Sequence, residues 1–161
     1  MNATKIHLIR ASFALVAPAS QVVGLIFYRN LFELDPKLKS LFPADLNQQS
    51  AKLMQMLSAA VSSLDNLDDL VPVVQQLAKR HVKYGVTPQH YQTVGAALLN
   101  TLVEGLGDDL SAEAFIAWKE LYLLLSHTMI TAAYSEARIS EAPSSEARIS
   151  EVPSPEVALA E

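Results

Sequence analysis

The chain has 161 residues, half of them hydrophobic, with five glycines and no cysteine. That length suits one compact domain with a buried core, and the missing cysteines exclude disulfides, thiolate metal sites, iron–sulfur clusters and a cysteine nucleophile. The net charge of −5 is uneven: residues 1–134 carry 10 Lys and Arg against 11 Asp and Glu, whereas 135–161 carry 2 against 6, so the body is nearly neutral, shows no basic stripe and is not expected to bind nucleic acid.

Abundant Leu, Ala and Val predict an all-α chain. A first helix is expected over about residues 4–15, where Ile6, Leu8, Ile9, Phe13 and Leu15 recur at helical spacing. Pro18 interrupts it. A second helix, capped by Ser20, carries Val23, Phe27, Tyr28, Leu31 and Phe32 and stops before Pro36. A short helical piece over 36–41 ends at Phe42-Pro43, because proline disfavours helix at the residue before it. A long helix over about 46–64 has Leu53, Leu57 and Val61 on one face, with Met56 and Ala60 beside them. The next, over about 67–84 with Pro72 in its first turns, spaces Val73, Leu77 and His81 by four, which puts the histidine on the inner face. Gly85 is a natural stop. Pro88 opens a helix with Tyr91, Val94, Leu98 and Leu102 on one face, closed by Gly105 and Gly107. Ser111 caps the last helix, which carries Ala114, Trp118, Leu121, Leu125 and Met129.

The expected domain is 1–134. Beyond it the heptapeptide SEARISE at 135–141 recurs at 145–151, and glutamate falls at every fifth position from 136 to 161. That period builds no continuous face on a helix or strand, and with Pro143, Pro153 and Pro155 the tail reads as a low-complexity, disordered acidic segment. The N-terminus shows no cleavable leader pattern. The most apolar stretch, 115–134, contains Lys119, Glu120 and His127, so no membrane span is expected and the cytoplasm is the expected location.

Most chemical motifs are missing. Gly105-Leu-Gly107 lacks the third glycine of a dinucleotide fingerprint and follows no strand. There is no phosphate loop, no nucleophile elbow and no His-Glu-x-x-His. The four histidines sit on separate elements without zinc spacing. His81 taken alone is either a hydrogen-bonded core residue or a metal ligand. Its surroundings, an aromatic-rich second helix, a Phe-Pro corner and a long helix with a polar start and an apolar face, could line the flat apolar slot that haem requires.

The run 79–99, KRHVKYGVTPQHYQTVGAALL, resembles the proximal region of bacterial globins, nearest to the globin domains of flavohaemoglobins and the single-domain haemoglobins similar to them. Phe27-Tyr28, Leu41-Phe42-Pro43 and the run from Gln49 to Leu53 fit the distal half in order and spacing. The resemblance spans about 4–134 and implies a globin fold, a three-over-three helical sandwich around haem b (iron protoporphyrin IX). It implies His81 as iron ligand, Phe42 flat on the porphyrin, and Leu53, Leu57, Leu77, Val86 and Val94 around the macrocycle. Tyr28 and Gln49 would hydrogen-bond the bound ligand, with Gln48 as a competing register, and Gln49 would act either as donor or as sixth ligand. Lys52 and Arg80 would meet the propionates or stand as solvated surface charges, and Lys52 has a third option as iron ligand in the ligand-free state.

Two departures stand out. In flavohaemoglobins a tyrosine and a last-helix glutamate support the proximal histidine. Tyr91 matches the tyrosine, but Ala133 stands at the glutamate's position, which should leave His81 less electron-donating. No flavin- or nicotinamide-binding segment follows, so turnover would need a separate reductase. The expected function is reversible binding of dioxygen, nitric oxide or another diatomic, with nitric oxide dioxygenase activity as the catalytic reading. The alternatives are an oxygen-binding or storage protein, a haem-based gas or redox sensor whose acidic tail meets a partner, and a haem-free interaction domain.

Overall fold

The computed structural model describes residues 1–42 and 45–141, with side chains described as far as Tyr134. Its described residues form six α-helices joined by short 3₁₀ turns: α1 (Ala3–Val16), α2 (Ser20–Leu34), α3 (Leu46–Ser62), α4 (Val71–Lys83), α5 (Pro88–Leu106) and α6 (Ala112–Glu141). α2 packs on α3 and α5, and α6 packs on α1, α4 and α5. Helices α1, α3 and α4 thus lie over α2, α5 and α6, the expected three-over-three sandwich.

Local chemistry sets most boundaries. Asn2 accepts from the Lys5 N–H at 2.9 Å and caps α1, Asp45 accepts from Asn47 N–H at 2.9 Å and caps α3, and Ser111 accepts from Ala114 N–H at 3.1 Å and caps α6. Each satisfies a donor that the first helical turn leaves unpaired. Gly85 (φ +85°) sits just past α4, in a conformation that only glycine adopts without strain.

Several expectations need correction. Ser20 does not cap α2: Pro18 lies in a 3₁₀ turn, Ala17–Ala19, whose flanking residues stay helical, so the helical run passes through it without stopping. The helix expected over 67–84 divides into a 3₁₀ turn, Leu67–Leu70, and α4, because Pro72 favours a new first turn. Val73 and Leu15 are exposed; the buried stripe of α4 is Val74, Leu77, Ala78 and His81. α6 runs on to Glu141, through the first copy of the tail repeat, since no proline interrupts it before Pro143. The second copy and the rest of the tail lie outside the described residues.

The stretch Ala3–Leu34 contains a window long and apolar enough to cross a membrane by length and composition. A 3₁₀ turn at Pro18 interrupts it, and one face of it (Ile9, Val16, Val23, Phe27, Leu31) is buried in the core. Polar groups inside the sandwich are tied both across and within layers. Trp118 Nε1 on α6 donates to Ser12 Oγ on α1 at 2.8 Å, and Asn30 Nδ2 on α2 donates to Thr101 Oγ1 on α5 at 3.1 Å, so burying them incurs no unmatched desolvation. Where α2 crosses α3, a Cβ on Gly24 would lie 2.6 Å from the Ser50 Cβ, so glycine permits that close approach.

Candidate functional site

His81 lies in the last turn of α4, on its buried stripe, and is 1% exposed. Its Nδ1 hydrogen-bonds the Leu77 carbonyl at 2.9 Å. A carbonyl can only accept, so the proton sits on Nδ1 and Nε2 is the nitrogen through which His81 would ligate iron. Two further contacts fix the residue. Val86 N–H donates to the His81 carbonyl at 3.0 Å across the Gly85 turn, and the Tyr91 ring stacks on the imidazole with centroids 6.4 Å apart and planes 24° apart.

His81 opens on an apolar cavity of about 100 Å³ between α3, α4, α5 and α6. The structure brings six of the expected residues to its wall: Leu53, Leu57, Leu77, His81, Tyr91 and Val94. Phe27 and Met56 extend the distal wall, and Tyr122, Ser126 and Met129 of α6 close the opposite side. The sequence reading missed these α6 residues, although their spacing of four and three is a helical signal.

Other expected residues stand behind that wall. The Tyr28 ring packs edge-on against Phe27 (5.0 Å) and Phe42 (5.2 Å), with Phe32 at 6.0 Å. Phe42 therefore belongs to an aromatic cluster with Tyr28 and Phe32. Gln49 and Ser50 are buried at the start of α3. Val86 is buried in the turn after α4, Lys52 is half-buried, and Arg80 is exposed. The Tyr28 hydroxyl is wholly buried and has no hydrogen-bond partner. Burial pushes its phenol well above the ordinary tyrosine value, so it remains a protonated donor. A buried donor left unsatisfied costs about 1–3 kcal/mol, and a polar ligand arriving beside it would recover that energy. Among the described residues no cluster of three His, Asp or Glu could hold a bare metal ion, so a metal at His81 would need ligands from a prosthetic group.

The globin family model matches residues 25–129. This chain is a globin. Among curated relatives, a flavohaemoprotein of Halalkalibacterium halodurans is 30% identical over 143 residues, covering 85% of this chain and 34% of that protein. One of Chromobacterium violaceum is 37% identical over 108 residues, covering 65% and 26% respectively. The globin thus spans about a third or less of the length of these relatives. Among solved structures, an engineered carbene transferase derived from a provisionally assigned nitric oxide dioxygenase of Rhodothermus marinus superposes with a TM-score of 0.76 at 30% identity, covering 88% of this chain and 99% of that one. A bacterial globin of Campylobacter jejuni, at 21% identity and a TM-score of 0.74, covering 85% and 99%, shares the fold.

The residues of this globin fit haem. The cavity is apolar, one imidazole faces it with Nδ1 committed to the Leu77 carbonyl, and a buried phenol without a partner, Tyr28, stands behind its wall. A haem-binding globin is what the family and this geometry together support.

Proposed function

We propose that this globin holds haem b through His81, reversibly binds dioxygen and nitric oxide, and converts nitric oxide to nitrate when a separate reductase supplies electrons. Haem supplies the reversible bond to a diatomic gas and the one-electron chemistry. The chain supplies the rest. His81 would hold the iron, in an orientation set by Leu77 and Tyr91. Leu53, Leu57 and Val94 line the slot and would exclude water from it. Tyr28 and Gln49, both behind that wall, would donate hydrogen bonds to a ligand that carries partial negative charge. Phe42 would lie flat on the porphyrin with Val86 beside the macrocycle, and Lys52 and Arg80 would meet its propionates.

The observation that carries this reading is the buried His81, its Nδ1 paired with the Leu77 carbonyl and its ring on the wall of an apolar cavity. The flavohaemoprotein relatives suggest the dioxygenase chemistry and the reductase. Ala133, buried at the position where the resemblance puts a carboxylate in flavohaemoglobins, favours a second reading: ligand binding, storage or sensing without turnover.

Absorption spectra test the proposal. The protein with haemin should show a Soret band, and His81→Ala should lose or strongly shift it; an unaltered band in the variant overturns the assignment. Mixing the dioxygen-loaded protein with nitric oxide then separates the two readings. Stoichiometric nitrate supports the dioxygenase, and negligible nitrate supports storage or sensing.

A further inference from the structure

The outer face of α6 is apolar where a surface helix is normally polar. Its inner face, with Trp118, Leu121 and Met129, is buried in the sandwich. On the other side Ile116, Leu123 and Leu124 are 58%, 55% and 43% exposed, and Lys119, Glu120 and His127 border them along one shallow groove. Between Glu120 and Glu136 the helix carries no Lys, Arg, Asp or Glu. A helix that is apolar on both sides normally has both sides covered. Glu120 is ion-paired with Lys5 of α1, which offsets its charge. Lys119 forms none of the ion pairs among the described residues, and His127 is exposed. The face thus presents a cation at one end, two leucines in the middle and an imidazole N–H donor at the other end.

We propose that this face is the seat of the chain's own last segment, residues 156–161 (Glu-Val-Ala-Leu-Ala-Glu), laid antiparallel to α6 as a strap. The segment lies outside the described residues. Residues 142–161 carry four Glu against one Arg, an acidic excess that suits Lys119. The link reaches: His127 is about 21 Å back along the helix from Glu141, and residues 142–155 span up to about 46–50 Å when extended. In an extended segment Val157 and Leu159 lie on one side, and Glu156 and Glu161 frame them. Arriving from the Glu141 end, the segment meets His127 with Glu156, the two leucines with Val157 and Leu159, and Lys119 with Glu161. Exposed ion pairs add little stability, so the apolar contact holds the strap and the carboxylates fix its register. Tethering favours this occupant over a second molecule, because a short flexible link keeps it at an effective concentration on the order of millimolar. The strap braces the helix whose other side, at Tyr122, Ser126 and Met129, walls the His81 cavity; its docking does not depend on haem.

The chain has no cysteine, so introduced ones alone accept nitroxide labels, and double electron–electron resonance on the full chain measures the distance between them. Glu113→Cys labels the exposed first turn of α6, and Ala158→Cys labels the side of the segment turned away from the leucines. Docked, position 158 lies opposite Leu124, about 17 Å along the helix from position 113, and the distribution should be narrow and close to that value. An undocked tail starts at Glu141, about 42 Å from position 113, and gives a broad, longer distribution. Leu123→Glu should abolish the short distance by removing the apolar contact. Lys119→Glu should broaden it by loosening the register, and adding Glu161→Lys to Lys119→Glu should narrow it again. A broad distribution in the labelled chain without these changes overturns the proposal, as does a short distance that Leu123→Glu leaves in place. A short distance that disappears on mixing with excess unlabelled protein, with a doubled mass in light scattering, puts a second copy on this face and overturns the strap as well.

Discussion

The Tyr28 phenol is buried without a partner, so the empty fold carries an unsatisfied donor worth about 1–3 kcal/mol. Tyr28→Phe should therefore raise the stability of the ligand-free protein, read as a higher urea midpoint. It should also weaken ligand binding. A hydrogen bond to a charged acceptor contributes about 1.5–3 kcal/mol, so dioxygen should leave the variant about ten- to a hundredfold faster in stopped-flow displacement. If the midpoint rises and the dissociation rate stays unchanged, Tyr28 is not the ligand's donor. The burial of His81 and Tyr28 was legible from the chain, because each falls at helical spacing with apolar neighbours. The close approach of Tyr122 to Gly95 was not. Their contact joins α6 to α5, and nothing in the local composition of either helix announces it.

Helix boundaries were mostly readable because their signals are local: Asn2, Asp45 and Ser111 cap, Gly85 stops, and Pro88 starts. The face of a helix was harder to read where apolar residues stand on both sides. In VPVV at 71–74 the four-residue spacing from His81 passes through Val73, while the spacing that packs passes through Val74. Only the neighbouring helices choose between them. Likewise Ile6, Ile9, Phe13 and Val16 form the inner stripe of α1, and Leu15 falls off it. Close helix approach is equally invisible until the partner is known. Gly24 is uninformative as a glycine in a helix, yet it lets α2 meet Ser50 of α3. Gly24→Ala gains helix propensity of about 1 kcal/mol, but the clash at 2.6 Å forces the crossing apart, and overpacking typically costs about 1–3 kcal/mol. The expected net result is a lower urea midpoint with unchanged slope; a higher midpoint would show that the crossing yields without strain.

At the scale of the whole molecule, three phenols make stability depend on alkali. Burial raises Tyr28, Tyr91 and Tyr122 above the ordinary tyrosine value of 10.0, with a smaller contribution to Tyr91 from Tyr134 and to Tyr122 from Tyr91. Below that value both folded and unfolded chains keep the protons, and the three groups add no pH dependence. Above it the unfolded chain releases protons that the folded one retains. Stability then falls by about 1.4 kcal/mol per pH unit for each group until the raised folded values are reached. Three such groups together remove about 4 kcal/mol per unit, against a total of about 5–15 kcal/mol for a domain. These phenols should therefore make the urea midpoint fall as pH rises above the ordinary tyrosine value. Tyr28→Phe should reduce the slope of that fall by about a third, because one of three coupled protons is gone. A slope that the substitution leaves untouched would mean that the Tyr28 ring is hydrated in solution, and the distal donor assignment would fall with it.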